Sequence, residues 1–261
     1  MKRIPRPLLA TSLLLLSSPT FAQAPLAVRH APDGGTRETF ASIFIPSTPN
    51  APFTATVNTE WVRQLRDGSN ITLKNHRTIA RDASGRIFEE RRFFVSDDGK
   101  HESTVYQIEI SDPATHQRYV CRPADHVCRL EQFFARAAAG LPVASTSANK
   151  PGAPGIENLG MQTIAGLETI GTRETRLVET GMIGNDGPIL EKREFWYSPK
   201  LGVNLITRRE DPRFSTQQNF EVSDLTLGEP DAKLFEVPGG YRIIDLRKPP
   251  EVSPRPDASP N

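Results

Sequence analysis

FTATVNTEWVRQLRDGSNITLKNHRTIAR, residues 53–81, decides the fold. Apolar or small side chains recur at every second position, at Phe53, Ala55, Val57, Thr59 and Trp61, with Leu65 beyond an interruption at Arg63. Successive side chains of a strand point to opposite faces, so a period of two gathers these residues on one side of a long strand. A helix would need apolar positions three and four apart, and the stretch does not supply them. Asp67-Gly68 turns the chain, and Ile71, Leu73 and Ile79 continue on a second strand. The unit is a hairpin with one apolar face.

The same alternation of strand and turn extends in both directions. RDASGR (81–86) is the next turn, with Gly85 free to take positive φ. A strand around 87–95 ends at Asp98-Gly99, a pair that favours a tight hairpin. Tyr106, Ile108 and Ile110 alternate up to Ser111-Asp112-Pro113. Residues 157–179 give two strands about Ala165-Gly166, and 189–210 give two more about Ser198-Pro199-Lys200. TQQNFEVSDLTL (216–227) and YRIIDL (241–246) complete the series, with one helical turn expected in EPDAKLF (229–235), Leu234 and Phe235 facing inward. Residues 52–245 therefore read as one mainly β domain built on a single antiparallel sheet.

Two segments break the pattern and read as short helices packed on that sheet. One is TRETFASIFI (36–45), inside an N-terminal segment at 25–51; the other is EQFFARAAAG (131–140), with Gly140 as its stop. LPVASTSANKPGAPG follows as a loop, so an insertion is expected near 131–155. Residues 246–261 are proline-rich with little to bury and read as a disordered tail.

The ends of the chain set its compartment. Lys2, Arg3 and Arg6 precede a short apolar run at Leu8–Leu16, and Ala22-Gln23-Ala24 offers small residues for cleavage. That order is a secretory signal peptide over residues 1–24, placing the mature chain in a periplasm or outside the cell. No later stretch is long and apolar enough for a transmembrane anchor. The full chain carries 32 basic and 31 acidic residues, and without Lys2, Arg3 and Arg6 the balance is 29 against 31. A slightly acidic protein lacks the basic footprint that nucleic acid requires.

The only two cysteines lie in YVCRPADHVCRL (119–130). Folding this stretch about Pro123–His126 pairs Arg122 with Val127 and Cys121 with Cys128, which brings the two sulfurs within bridging reach. In an exported chain an even pair reads as a disulfide. Zinc would need more ligands, and neither His116 nor His126 completes a common spacing. No cofactor or metal is expected.

RDASGR (81–86), IAG (164–166), EFWYS (194–198) and LFEVPGGY (234–241) together resemble motifs of secreted bacterial proteins with the LolA-like fold, that of the outer-membrane lipoprotein carriers. The resemblance spans most of 52–245. It implies that the sheet is one large curved sheet, an open half-barrel, whose concave face receives acyl chains. On that basis Phe53, Val57, Trp61 and Leu65 become candidate ligand-binding residues, with Phe133 and Phe134 as a lid. The same strand face can equally serve as plain core. Charges at Arg173, Arg176 and Arg193 depart from the carrier pattern and point to a shallower groove or a protein-binding surface.

Signatures of catalysis are missing: the chain has no HExxH, G-x-S-x-G, phosphate loop or G-x-G-x-x-G. The expected function is therefore non-enzymatic. The partner is a lipid, a lipoprotein or another envelope protein, the last making the chain a scaffold or sensor; a hydrolase ranks below both.

Overall fold

The period-two pattern folds as it reads. In the computed structural model, which describes residues 43–135 and 155–247, β1 (Phe53–Gln64) buries Phe53, Ala55, Val57, Thr59 and Trp61 and leaves the side chains between them more exposed. β2 (Asn70–Arg81), β3 (Ile87–Arg92), the two-residue β4 (Val95–Ser96), β5 (Val105–Asp112), β6 (Gln117–Arg122) and β7 (Val127–Gln132) follow. Then come β8 (Gly155–Ile164), β9 (Leu167–Val178), β10 (Ile189–Ser198), β11 (Val203–Asp211), β12 (Thr216–Leu227) and β13 (Arg242–Asp245). All fall in one compact unit, residues 40–261.

The strands form one open sheet in the order β13-β7-β6-β5-β3-β2-β1-β12-β11-β10-β9-β8, with β4 paired to β2. Two meanders thus meet along a single seam, β1 against β12, where Val57 faces Val222 and Thr59 faces Phe220. The ladders are antiparallel except the last. β13 runs parallel to β7, with Arg242 opposite Val127 and Ile243 opposite Cys128.

The two expected packing helices are absent among the described residues. Ile43–Ile45 is not helical: Ile43 and Ile45 are buried, while Phe44 between them is 51% exposed, which is strand-like alternation. At the second site β7 continues through Glu131 and Gln132, because Gln132 pairs with Gln117 and the Phe133 N–H donates to the His116 carbonyl at 2.9 Å. Sheet pairing extends the strand through the first residues of the expected helix. Residues 36–42 and 136–140 of those two expectations lie outside the described residues. The turn expected in EPDAKLF is present as a 3-10 turn at Ala232–Phe235, started by Asp231, whose side chain accepts from Lys233 N–H.

Apolar side chains gather on both faces. The core face holds Phe53, Val57 and Ile79 with Val203, Leu205, Phe220 and Val222, and Ile43 and Ile45 close over it. On the opposite face Ala80, Phe88, Ile110 and Tyr119 form one cross-strand row, and the 3-10 turn drops Leu234 and Phe235 onto it. At Gly171 a Cβ would meet the ring of its cross-strand partner Trp196 at 2.8 Å, so only glycine lets that indole lie flat on β9.

RDASGR is a structural hub. Arg81 is 0% exposed, and its guanidinium donates to three carbonyls: Ala51 at 3.0 and 2.8 Å, Pro46 at 2.9 Å and Leu201 at 2.7 Å. Burial pulls its pKa down to about 10, which leaves it charged at neutral pH. Asp82 organises the turn by accepting from Ser84 and Arg86, including Arg86 Nε at 2.5 Å. Gly85 holds φ at +86° with the Ser47 backbone 3.3 Å from where a Cβ would sit. Arg86 in turn lies over the Phe235 ring at 4.8 Å.

The cysteine hairpin has the expected register. Cys121 pairs with Cys128 across β6 and β7, and the two form a disulfide with a Cα–Cα separation of 3.9 Å. Pro123–Asp125 makes a 3-10 turn closed by His126 in the left-handed region, and the His126 ring packs edge-on against Tyr241 at 5.2 Å.

Two outcomes follow. Replacing Arg81 with methionine should lower unfolding stability by about 3 kcal/mol or more, because each orphaned buried carbonyl costs ~1–3 kcal/mol; urea denaturation measures it, and a loss below about 1 kcal/mol refutes the clamp. Replacing Cys128 with serine should cost only about 2.5 kcal/mol, the chain-entropy value for so short a loop, and native protein should titrate no free thiol.

Candidate functional site

The residues proposed from sequence separate into two groups. Phe53, Val57 and Trp61 are buried on the core face of β1. Leu65 lies past the end of that strand, where it opens the β1–β2 turn with its N–H on the Ser69 carbonyl, and it is 38% exposed. Phe133 is half-buried against the main cluster, and Phe134 is 75% exposed. Phe133 and Phe134 do share a cleft, of about 520 Å³, whose apolar wall is completed by Ile43, Phe44, Ile45 and Ile87.

The other wall of that cleft is charged. Glu89 of β3 stands opposite Glu109 of β5, two carboxylates side by side on the core face. Three arginines on neighbouring strands make this arrangement tolerable. Arg77 reaches Glu89 at 3.0 Å, Arg91 lies 3.8 Å from Glu89 and 3.0 Å from Glu109, and Arg118 pairs with the second oxygen of Glu109. Gln107 adds a further donor to Glu109 at 2.8 Å. The result is a ladder, Arg77–Glu89–Arg91–Glu109–Arg118, laid across β2, β3, β5 and β6.

Burial and pairing compete along it. Burial raises the Glu109 pKa, but Arg91 and Arg118 outweigh this and hold the carboxyl below its ordinary range. Burial lowers Arg91, and Glu89 and Glu109 more than compensate, so its pKa ends raised. For Arg77 burial wins and the pKa falls, with Glu89 opposing. An ionised Glu109 saturated with donors is a poor general base or acid.

A second cavity, of about 560 Å³, continues along the core face and shares Arg91 and Glu109 with the first. Phe93, Phe94, Tyr106 and Phe220 supply its apolar surface. Phe93 and Tyr106 are in ring contact at 4.8 Å. A third hollow, of about 720 Å³, is a depression around Asn58, His76, His101 and Glu221, where Lys74 already pairs with Glu60 and Asp97. Val95 is the one large apolar side chain on its lining. Among the described residues no group of three His, Cys, Asp or Glu is placed to hold a metal ion.

Sequence reasoning missed the ladder because it did not ask which face EERR (89–92), Arg77 and Arg118 occupy, which the strand register settles. One clue was present. Arg77 shares the odd parity of Ile79, so it had to point to the buried side.

No family model matches the chain, and no curated protein matches it in sequence. Solved structures do match it in fold. A chain of the Pseudomonas aeruginosa MucA/MucB complex aligns with a TM-score of 0.40 at 12% identity, over 80% of this chain and 63% of that one, so this chain spans less than two thirds of its length. An uncharacterized conserved protein from Thermus thermophilus aligns at 0.38 and 9% identity, over 74% and 90% of the two chains. A LolA superfamily protein from Nitrosomonas europaea aligns at 0.28 and 12% identity, over 72% and 91%. Each is a partial likeness of fold at low identity.

Because Glu109 titrates lower in the folded chain than in the unfolded one, its stabilising contribution is complete above the ordinary carboxylate range and is lost as pH falls through its folded value. Glu109→Gln should therefore destabilise at neutral pH, and its gap to the parent should close below about pH 4. Thermal melts along a pH series measure this; a gap that does not change with pH would contradict the ladder's electrostatics.

Proposed function

We propose that this protein is a non-enzymatic binding protein of the bacterial envelope that takes an amphiphilic, lipid-like ligand on the core face of its open sheet. One observation carries the reading: an apolar wall and a fully paired charged wall face each other in the same cleft, and a second cavity rich in aromatic side chains shares two of its residues. Acyl chains bind by burial alone, at roughly 0.8 kcal/mol per methylene, so no reactive group is required. Each glutamate of the ladder is paired, and with three arginines against two glutamates the row borders the cleft with one net positive charge. The signal-peptide reading of residues 1–24 supports a periplasmic or secreted location. Among the described residues no helix is long and apolar enough to cross a membrane.

A second reading, an envelope scaffold that binds another protein, has its own support. β8 is ten residues long, almost wholly exposed and paired on one side only, and such an edge can accept an added strand.

Phe134 separates the two. It lines the cleft yet is largely exposed, so Phe134→Asp should leave the melting temperature nearly unchanged while weakening a fluorescent fatty-acid probe about tenfold, as expected for losing a hydrophobic contact worth ~1–2 kcal/mol. Native mass spectrometry of gently purified protein should show bound lipid. If the full chain neither carries lipid nor binds the probe, the amphiphile reading is wrong.

A further inference from the structure

Most arginines on the sheet are spoken for. Arg77, Arg91, Arg92, Arg118, Arg173, Arg208 and Arg213 each pair with a carboxylate. Arg193 and Arg209 break that rule. They stand directly opposite each other on β10 and β11, and neither makes a hydrogen bond or ion pair with any described residue. The Nε of Arg209 is cut off from solvent and meets no acceptor. Like charges directly opposite on a sheet repel, so this pair is a local penalty.

Nearby carboxylates do not remove that penalty. Glu174 lies across from Arg193 on β9 but forms no ion pair with it, and Asp211 is held by Arg213 at 2.6 Å. Burial and the charge of Arg193 both push the Arg209 pKa down, with Glu174 opposing.

The register places this pair beside the aromatic part of the core face. Arg209 faces Gln218, and Gln218 faces Trp61. The next row along the same face runs Phe195, Thr207, Phe220 and Thr59. Phe220 and Thr59 also line the 560 Å³ cavity.

We infer that Arg193 and Arg209 form an oxyanion site that receives the carboxylate or phosphate head of the ligand, with its apolar tail lying past Phe195 and Phe220 toward that cavity. Two guanidiniums present several N–H donors in fixed planes, which suits an oxyanion held through two oxygens better than a point contact. The assignment rests on the amphiphile reading above and adds the sign and chemistry of the head group.

The experiment uses the full chain with three probes: dodecyl phosphate below its micelle concentration, uncharged monododecanoylglycerol, and inorganic phosphate. Affinities come from calorimetric titration and ligand-free stability from thermal melts. Dodecyl phosphate should bind more tightly than the neutral lipid. Arg209→Met or Arg193→Met should weaken it at least tenfold and leave the neutral lipid unchanged. The ligand-free variants should be as stable as the parent or more so, since a repulsion is removed, and Arg209→Lys should restore only part of the affinity.

Equal affinity for the charged and neutral lipids, or methionine variants that lose stability without losing affinity for dodecyl phosphate, would overturn the head-group site while leaving the amphiphile reading intact. If neither lipid binds, the amphiphile reading fails. Inorganic phosphate then decides the site: binding abolished by Arg209→Met supports an oxyanion site for a free anion, and no binding removes it.

Discussion

The Arg81 guanidinium is the constraint on which the rest of the structure depends. From the end of β2 it reaches Ala51 just ahead of β1, Pro46 in the N-terminal segment and Leu201 in the β10–β11 turn, which are up to 120 residues away in sequence. A lysine could not do this, because a single ammonium cannot address carbonyls lying in three directions around a plane. The cation carries no carboxylate partner; backbone dipoles and the Phe53 ring, 5.2 Å away, replace its water. Asp82, Gly85 and Arg86 extend the same knot to Ser47 and to Phe235 on the far face. Both apolar clusters are thereby tied to one turn of six residues.

The core face shows how a sheet can carry many charges inward and remain stable. Opposed glutamates and flanking arginines alternate along the ladder, so each desolvated charge has a neighbour of opposite sign. Such a row gives little net stability once desolvation is counted. Its effect is on shape: charged side chains locked to one another border the cleft without filling it, while Ile43, Ile45 and Ile87 of the facing wall are packed into the core behind. Open volume beside an apolar wall is the physical requirement of a lipid-like site.

Much of this is legible in the sequence, and the limits have physical causes. Strict alternation at Phe53–Trp61, glycine turns at 68, 85, 99 and 166, and the hairpin register of Cys121 and Cys128 all follow from local pattern. The 3-10 turn at Ala232–Phe235 follows in the same way. The described ends of the two expected helices are not helical because Ile43–Ile45 and Glu131–Gln132 respond to tertiary partners that local propensity does not contain. The parallel pairing of β13 on β7 is non-local as well, since nothing in RIID announces which edge it will join. The ladder and the Arg193–Arg209 pair stayed hidden for another reason: charge reads as solvent exposure until register shows which side chains share a face.

The seam between β1 and β12 has a consequence for the life of the chain. Asn58 hydrogen-bonds Ser223 across 165 residues, so the middle of the sheet is built from the first and last long strands. Each half can form its local hairpins early, but the halves can join only after nearly all of the polypeptide is available. Topologies dominated by such distant pairings fold slowly. Until the two halves meet, β1 and β12 each present an unpaired edge, so the central strands are the last part of the sheet to be protected. The Cys121–Cys128 bridge, by contrast, joins residues seven apart and can form without the seam.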